Sequence, residues 1–295
     1  MTIDKVNKNI SDSIVLLGPS GVGKSLVAST LSKKVDTPLL DIDDIIAFID
    51  SELSDTLSMD QDKQKSFIEA EISDLKKLKR DTPLTDEEDK IENSLVYELV
   101  DLYNYYHQLL GGFEKFYKPY YDYYKATQKH MSMFDEVYHL NKLTMDILER
   151  IYATTDRPYI ISPPGSFGWS TNNPLRYRMR LLQDTKIEPF LKLSKSVLLE
   201  PGVDYSLRTP TDDSSVNSIL FLRHLDSYHK NADVVISTNS LFSDPNNDFL
   251  KQRTWLNVRE TMTKRRLKNM GEISSICDQI IAMTKDKDSE NEYTI

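Results

Sequence analysis

Ile14-Val15-Leu16-Leu17-Gly18-Pro19-Ser20-Gly21-Val22-Gly23-Lys24-Ser25 decides how this chain is read. Four apolar residues ended by Gly18-Pro19 have the pattern of a strand buried on both faces. Ser25 to Lys34 then sets Leu26, Val27, Thr30 and Leu31 at helical spacing. Pro38 opens a second extended run, Leu39-Leu40-Asp41-Ile42. Strand, helix and strand in this order predict a βαβ unit, hence a parallel sheet with a right-handed crossover. Between the first strand and the helix, residues 18–25 satisfy G-x-x-x-x-G-K-[ST], in the context that gives the pattern meaning.

The chemistry of that stretch is specific. Three of the chain's nine glycines stand in it, and glycine lets a backbone wrap close to phosphate oxygens. Successive N–H groups and the helix N-terminus then face the anion. The expected nucleotide-binding residues are Gly18, Pro19, Ser20, Gly21, Val22, Gly23, Lys24, Ser25 and Leu26. Lys24 is expected to reach the β- and γ-phosphates of a nucleotide, ATP or GTP, and Ser25 to give its hydroxyl to Mg²⁺.

The second run ends in Asp41-Ile42-Asp43-Asp44. Alternation along a strand puts Asp41 and Asp43 on one side, at the carboxyl end where open α/β sheets bind ligands. Two carboxylates beside a magnesium nucleotide can hold metal-bound water and accept a proton from a substrate hydroxyl. The alternative is helix capping by Asp43 or, better placed, Asp44, for a helix starting near Ile45.

Further extended runs are Pro158-Tyr159-Ile160-Ile161, Ser196-Val197-Leu198-Leu199 and Asp233-Val234-Val235-Ile236. Helical patterns lie near 175–182 and 216–229. Residues 13–46 and 157–240 therefore predict about five strands in one α/β sheet. The expected architecture is a P-loop NTPase three-layer core, residues 1–46 and 156–295, interrupted by an all-helical insertion at 47–155. In the insertion, apolar residues recur every three or four positions, as in Ile91, Leu95, Leu99 and Leu102. Residues 1–12 read as loose, and the charged tail after Lys285 as disordered.

Charge is distributed unevenly. Lys and Arg total 37 against 46 Asp and Glu, a formal net charge of −9. Residues 51–101 carry 15 acidic and 7 basic side chains, nearly the whole excess. That segment reads as a solvated helical hairpin, with a docking surface for a basic protein partner as the alternative. The acidic balance argues against non-specific binding to nucleic acid or to an anionic membrane. Nine of the 16 tyrosines fall between Tyr97 and Tyr124 without a basic patch, which favours packing over base stacking. The single cysteine, Cys277, permits no intramolecular disulfide and reads as a small buried apolar residue. The longest early apolar run, Ile14 to Leu17, is too short for a signal peptide or a span, so a cytoplasmic protein is expected.

Beyond the residues themselves, the chain resembles the shikimate kinase family of small-molecule kinases. The resemblance rests on GPSGVGKS at 18–25, LLDIDDII at 39–46, VLLE at 197–200 and YHKNADVVIST at 228–238, in the family's order. It covers about half the chain. It implies an ATP-dependent phosphotransferase acting on a hydroxyl of a small metabolite. Asp41 would hold Mg²⁺ through water, and Asp43 would orient or deprotonate the acceptor. Arg208 would stack on adenine, with Asn239–Pro245 flanking it. Departures from the pattern fall on the acceptor side. The family's three glycines after the third strand read Ser162-Pro163-Pro164-Gly165. Lys118, in Phe116-Tyr117-Lys118, is the nearest counterpart of a substrate arginine. Arg223 lies one residue out of register from the arginine that holds a substrate carboxylate. The resemblance thus points to Gly165, Lys118 and Arg223, with Asp43, as acceptor-side residues. A nucleotide-binding adaptor, gripping a protein partner through the acidic insertion, is the alternative function.

Overall fold

The computed structural model describes residues 3–19, 22–46, 105, 108–109, 133–167, 186–201, 225–238 and 270–285. The labelled elements run α1 (Ile3–Ser11), β1 (Ile14–Leu17), α2 (Lys24–Val35), β2 (Leu39–Asp41), α3 (Met133–Thr154), β3 (Ile160–Ser162), α4 (Glu188–Leu193), β4 (Lys195–Glu200) and β5 (Val234–Ser237). Residues 225–231 and 270–285 are also helical. The five strands form one sheet in the order β2-β3-β1-β4-β5, with every pairing parallel. The protein is an α/β protein, and each strand lies at an apolar run expected from the sequence.

The inner strands β1, β3 and β4 are covered on both faces, which is why they read as unbroken apolar runs, whereas the edge strand β5 is buried on one face and leaves Val235 exposed on the other. Ile14, Leu16, Ile160, Val197 and Leu199 share one buried cluster with Val27, Ala28 and Leu31 of α2. Ile273, Ile276, Cys277 and Ile280 of the 270–285 helix complete it. Cys277 is buried as expected, and burial pushes its thiol up to about 11. Val15, Leu17 and Leu198 alternate to the opposite face. There α4 packs on β4, and α1 lies against both α3 and α4. Tyr152 meets Tyr159 edge to face at 5.6 Å and tilts against Phe190 at 6.2 Å.

Two expectations are corrected here. Residues 3–11 are helical, not loose. Contacts far away in sequence hold them: Asp156 accepts from Asn9 at 3.2 Å and pairs with Lys5. Ser13 Oγ then ties three segments together. It donates to Asn9 O at 2.7 Å, accepts from Tyr159 N–H at 2.9 Å and meets Tyr152 Oη at 2.6 Å.

The chain divides into two compact units, 1–43 with 126–250 and 269–295, and 44–125 with 251–268. The expected insertion ran to residue 155, yet residues 126–155, with α3, belong to the sheet's unit. The reason is the apolar stripe Leu143, Ile147, Leu148 and Ile151, which is buried. The acidic run 51–101, residues 175–182 and the tail after Lys285 lie outside the described residues. Among those described, no helix is long and apolar enough to cross a membrane.

Candidate functional site

Three segments leave the carboxyl edge of the sheet side by side. They follow β1 at Gly18, β2 at Ile42 and β3 at Pro163. The chain leaves β1 toward β2 on one side of the sheet and leaves β4 toward β5 on the other. The β1/β4 boundary is therefore the point at which the winding reverses, where such sheets open a ligand crevice.

Gly18 sits at that boundary with φ +141°, and a Cβ there would lie 2.6 Å from the carbonyl oxygen of Leu199 on β4. Only a residue without a side chain lets the loop pass so close to β4. Val22 anchors the loop in the core cluster. Gly23 has φ +93° and immediately precedes α2, whose first bond runs from Val27 N–H to Gly23 O at 3.0 Å. The two glycines thus turn the chain out of a buried strand and into a buried helix within a few residues.

Lys24 folds back over this loop. Its Nζ donates to Gly18 O at 2.9 Å and Pro19 O at 3.0 Å, with the residue 7% exposed. Burial lowers its pKa to about 8, against the opposing pull of Asp43 and then Asp41. Between about 8 and 10.5 the unfolded chain binds more protons than the folded one, so this lysine's contribution to stability rises with pH there. Below pH 8 its buried charge is a standing cost, which a bound anion would relieve.

The carboxylates are arranged differently from the expectation. The strand ends at Asp41 and the chain is helical from Ile42. Alternation therefore stops before Asp43, and Asp41 itself takes the position just ahead of the helix. Neither Asp43 nor Asp44 precedes the helix; both lie in its first turn, where negative charge suits the dipole. Asp41 is 3% exposed, whereas Asp43 is open to solvent. Although part of Asp43 is exposed, the protein packed around its carboxyl removes solvation and raises its pKa; the Asp41 charge raises it further, and Lys24 opposes both. Asp43 thus holds its proton more readily folded than unfolded, and what stability it adds declines as pH climbs above 3.8. Water screens an exposed carboxylate, so little folding energy attaches to it.

Behind β3, Phe167 N–H donates to Pro164 O at 2.9 Å and closes a turn. Tyr228 Oη donates to Gly165 O, while Asn141 Nδ2 donates to Ser166 O and Ser166 Oγ donates to Asn141 Oδ1, both at 3.3 Å. Gly165 is thus brought to the sheet edge and pinned there. Sequence reading passed over Asn141, whose signal is a polar residue at a buried position of α3. Among the other expected residues, Lys24, Asp41 and Asp43 fall within one electrostatic neighbourhood. Ser25 is exposed at the start of α2, and Leu26 is half-buried one residue on. Ser20, Gly21, Lys118, Arg208, Arg223 and Asn239–Pro245 lie outside the described residues.

Neither a family model nor a curated protein sequence matches the chain.

The donor set suits a hydrated magnesium ion. Ser25 offers a hydroxyl and Asp41 a buried carboxylate, both hard oxygen donors. Among the described residues, no cluster of three His, Cys, Asp or Glu could hold a metal by itself. Magnesium needs none, since it keeps waters and shares phosphate oxygens.

Proposed function

We propose that the chain is a P-loop phosphotransferase that moves the γ-phosphoryl group of ATP to a hydroxyl of a small metabolite. The observation that carries this reading is the Gly18–Lys24 loop. It is a tight turn at the winding reversal, with a buried lysine held inside it and two carboxylates beside that lysine.

Each residue has a defined task. The loop amides and the first turn of α2 bind the phosphate chain. Lys24 exchanges its two carbonyl partners for phosphoryl oxygens and spreads the negative charge on them. Ser25 through its hydroxyl and Asp41 through its carboxylate would hold magnesium, which would supply charge screening to the phosphates. Asp43 faces solvent, where an acceptor can reach it, and takes the hydroxyl proton. Its raised pKa brings it closer to the range in which it can receive that proton and give it up again.

The turn after β3 bears on the acceptor. Pro163 and Pro164 have no N–H, and the Gly165 and Ser166 carbonyls are already engaged. Such a turn offers fewer donors than a triple glycine would. That feature favours a second reading, a nucleotide-binding adaptor that grips a protein partner through the acidic segment. The discriminating experiment incubates the purified full chain with Mg·ATP and a panel of small hydroxyl compounds, following ADP. Acceptor-dependent ADP release at least tenfold above the acceptor-free rate is expected. Nucleotide binding with no acceptor effect across the panel would favour the adaptor.

A further inference from the structure

Two buried side chains from different helices reach the same turn behind β3. Asn141 of α3 is 1% exposed, and Tyr228 of the helix at 225–231 is 0% exposed. Tyr228 Oη donates to Gly165 O, and Asn141 Nδ2 donates to Ser166 O at 3.3 Å. Phe167 N–H donates to Pro164 O at 2.9 Å. The carbonyls of 164, 165 and 166 are therefore all engaged by the protein itself. A phenylalanine at 228 and a leucine at 141 would fill similar space without burying polar groups, which is costly unless those groups are bonded. What the polar atoms add is a fixed orientation for a turn that Pro163 and Pro164, having no N–H, cannot brace.

That orientation has a chemical consequence. No peptide bond among the described residues is cis, and in a trans peptide unit C=O and N–H point in opposite directions. Holding the Gly165 carbonyl on Tyr228 thus aims the Ser166 N–H away from Tyr228. Holding the Pro164 carbonyl on Phe167 does the same for the Gly165 N–H. Among the described residues, neither of these two N–H groups meets a protein acceptor. The turn has spent its carbonyls and kept two donors, at the sheet edge where β3 ends beside β2 and Asp41. We propose that Tyr228 and Asn141 are positioning residues for the phosphoryl acceptor: they hold the peptide units of 165 and 166 so that their N–H groups take an oxygen lone pair of that molecule. Neither side chain touches the acceptor; each acts through the main chain it holds. This inference rests on the phosphotransferase reading.

The test is steady-state kinetics of the full chain with Mg·ATP and the panel compound that gives the fastest ADP release, for wild type and Tyr228→Phe. The ring keeps its packing, so the variant loses only the hydroxyl's contacts. The acceptor KM should rise about threefold to tenfold, the scale of one hydrogen bond. The kcat and the KM for Mg·ATP should stay within twofold, the pattern of lost binding that is uniform between ground state and transition state. A merely structural tyrosine would leave the acceptor KM unchanged, or would move both KM values together; either result overturns the role. Should Tyr228→Phe fail to fold, Asn141→Leu removes the second tie and is judged by the same split. No acceptor-dependent ADP release by wild type overturns the phosphotransferase reading, and this role with it.

Discussion

Gly18→Ala is expected to destabilise the fold by about 3 kcal/mol and to abolish nucleotide binding. The added Cβ would stand 2.6 Å from Leu199 O and 3.0 Å from Val22 Cγ1. A flexible side-chain end could swing aside, but a β4 carbonyl in the sheet ladder cannot. The backbone angle of +141° adds strain for any residue with a Cβ. Strain at such an angle and overpacking each cost about 1–3 kcal/mol. In a chain of this size, about 3 kcal/mol corresponds to a fall of about 6–12 °C in the thermal midpoint. Gly271→Ala is the matched control. A Cβ at Gly271 meets nothing within 4 Å, and residue 271 is helical. That change should be neutral or stabilising by up to about 1 kcal/mol. A Gly18→Ala protein with the wild-type midpoint and wild-type nucleotide affinity would contradict the packing described for the loop.

Asp43→Asn separates chemistry from binding. The variant should lose about 10²–10⁴-fold in acceptor-dependent turnover, the range for removing a proton-transfer group. Nucleotide affinity should change little, since Lys24 and the loop keep their geometry. Stability should hold or rise, because a like charge beside Asp41 disappears and the residue is exposed. Normal turnover by this variant would remove Asp43 from the proposed chemistry.

Much of the sheet could be read directly from the chain. Strands buried on both faces carry consecutive apolar residues, and Gly18, Pro38 and Pro158 mark where three of the runs end or begin. The glycine-rich loop was equally plain, since its residue types are those its backbone angles demand. Other features depend on partners that the sequence does not rank. Residues 3–11 have only Ile3, Val6 and Ile10 as apolar residues, and their helix is held by Asp156, remote in the chain. Helix was expected through residue 155, but which unit α3 packs with was not legible. Alternation placed Asp43 on a strand because nothing local announces that the helix starts at Ile42.

The central claim is that residues 18–25 bind the triphosphate of ATP through a buried, charged Lys24. The most direct measurement is calorimetric titration of the purified chain with Mg·ATP at pH 7 and at pH 9. Saturable binding of one nucleotide per chain is predicted at pH 7. Weaker binding is predicted at pH 9, because free Lys24 loses its proton through about 8 and the bound form must recover it. The loss is at most about tenfold per pH unit for one proton. No heat at pH 7, or affinity that rises toward pH 9, would contradict the account.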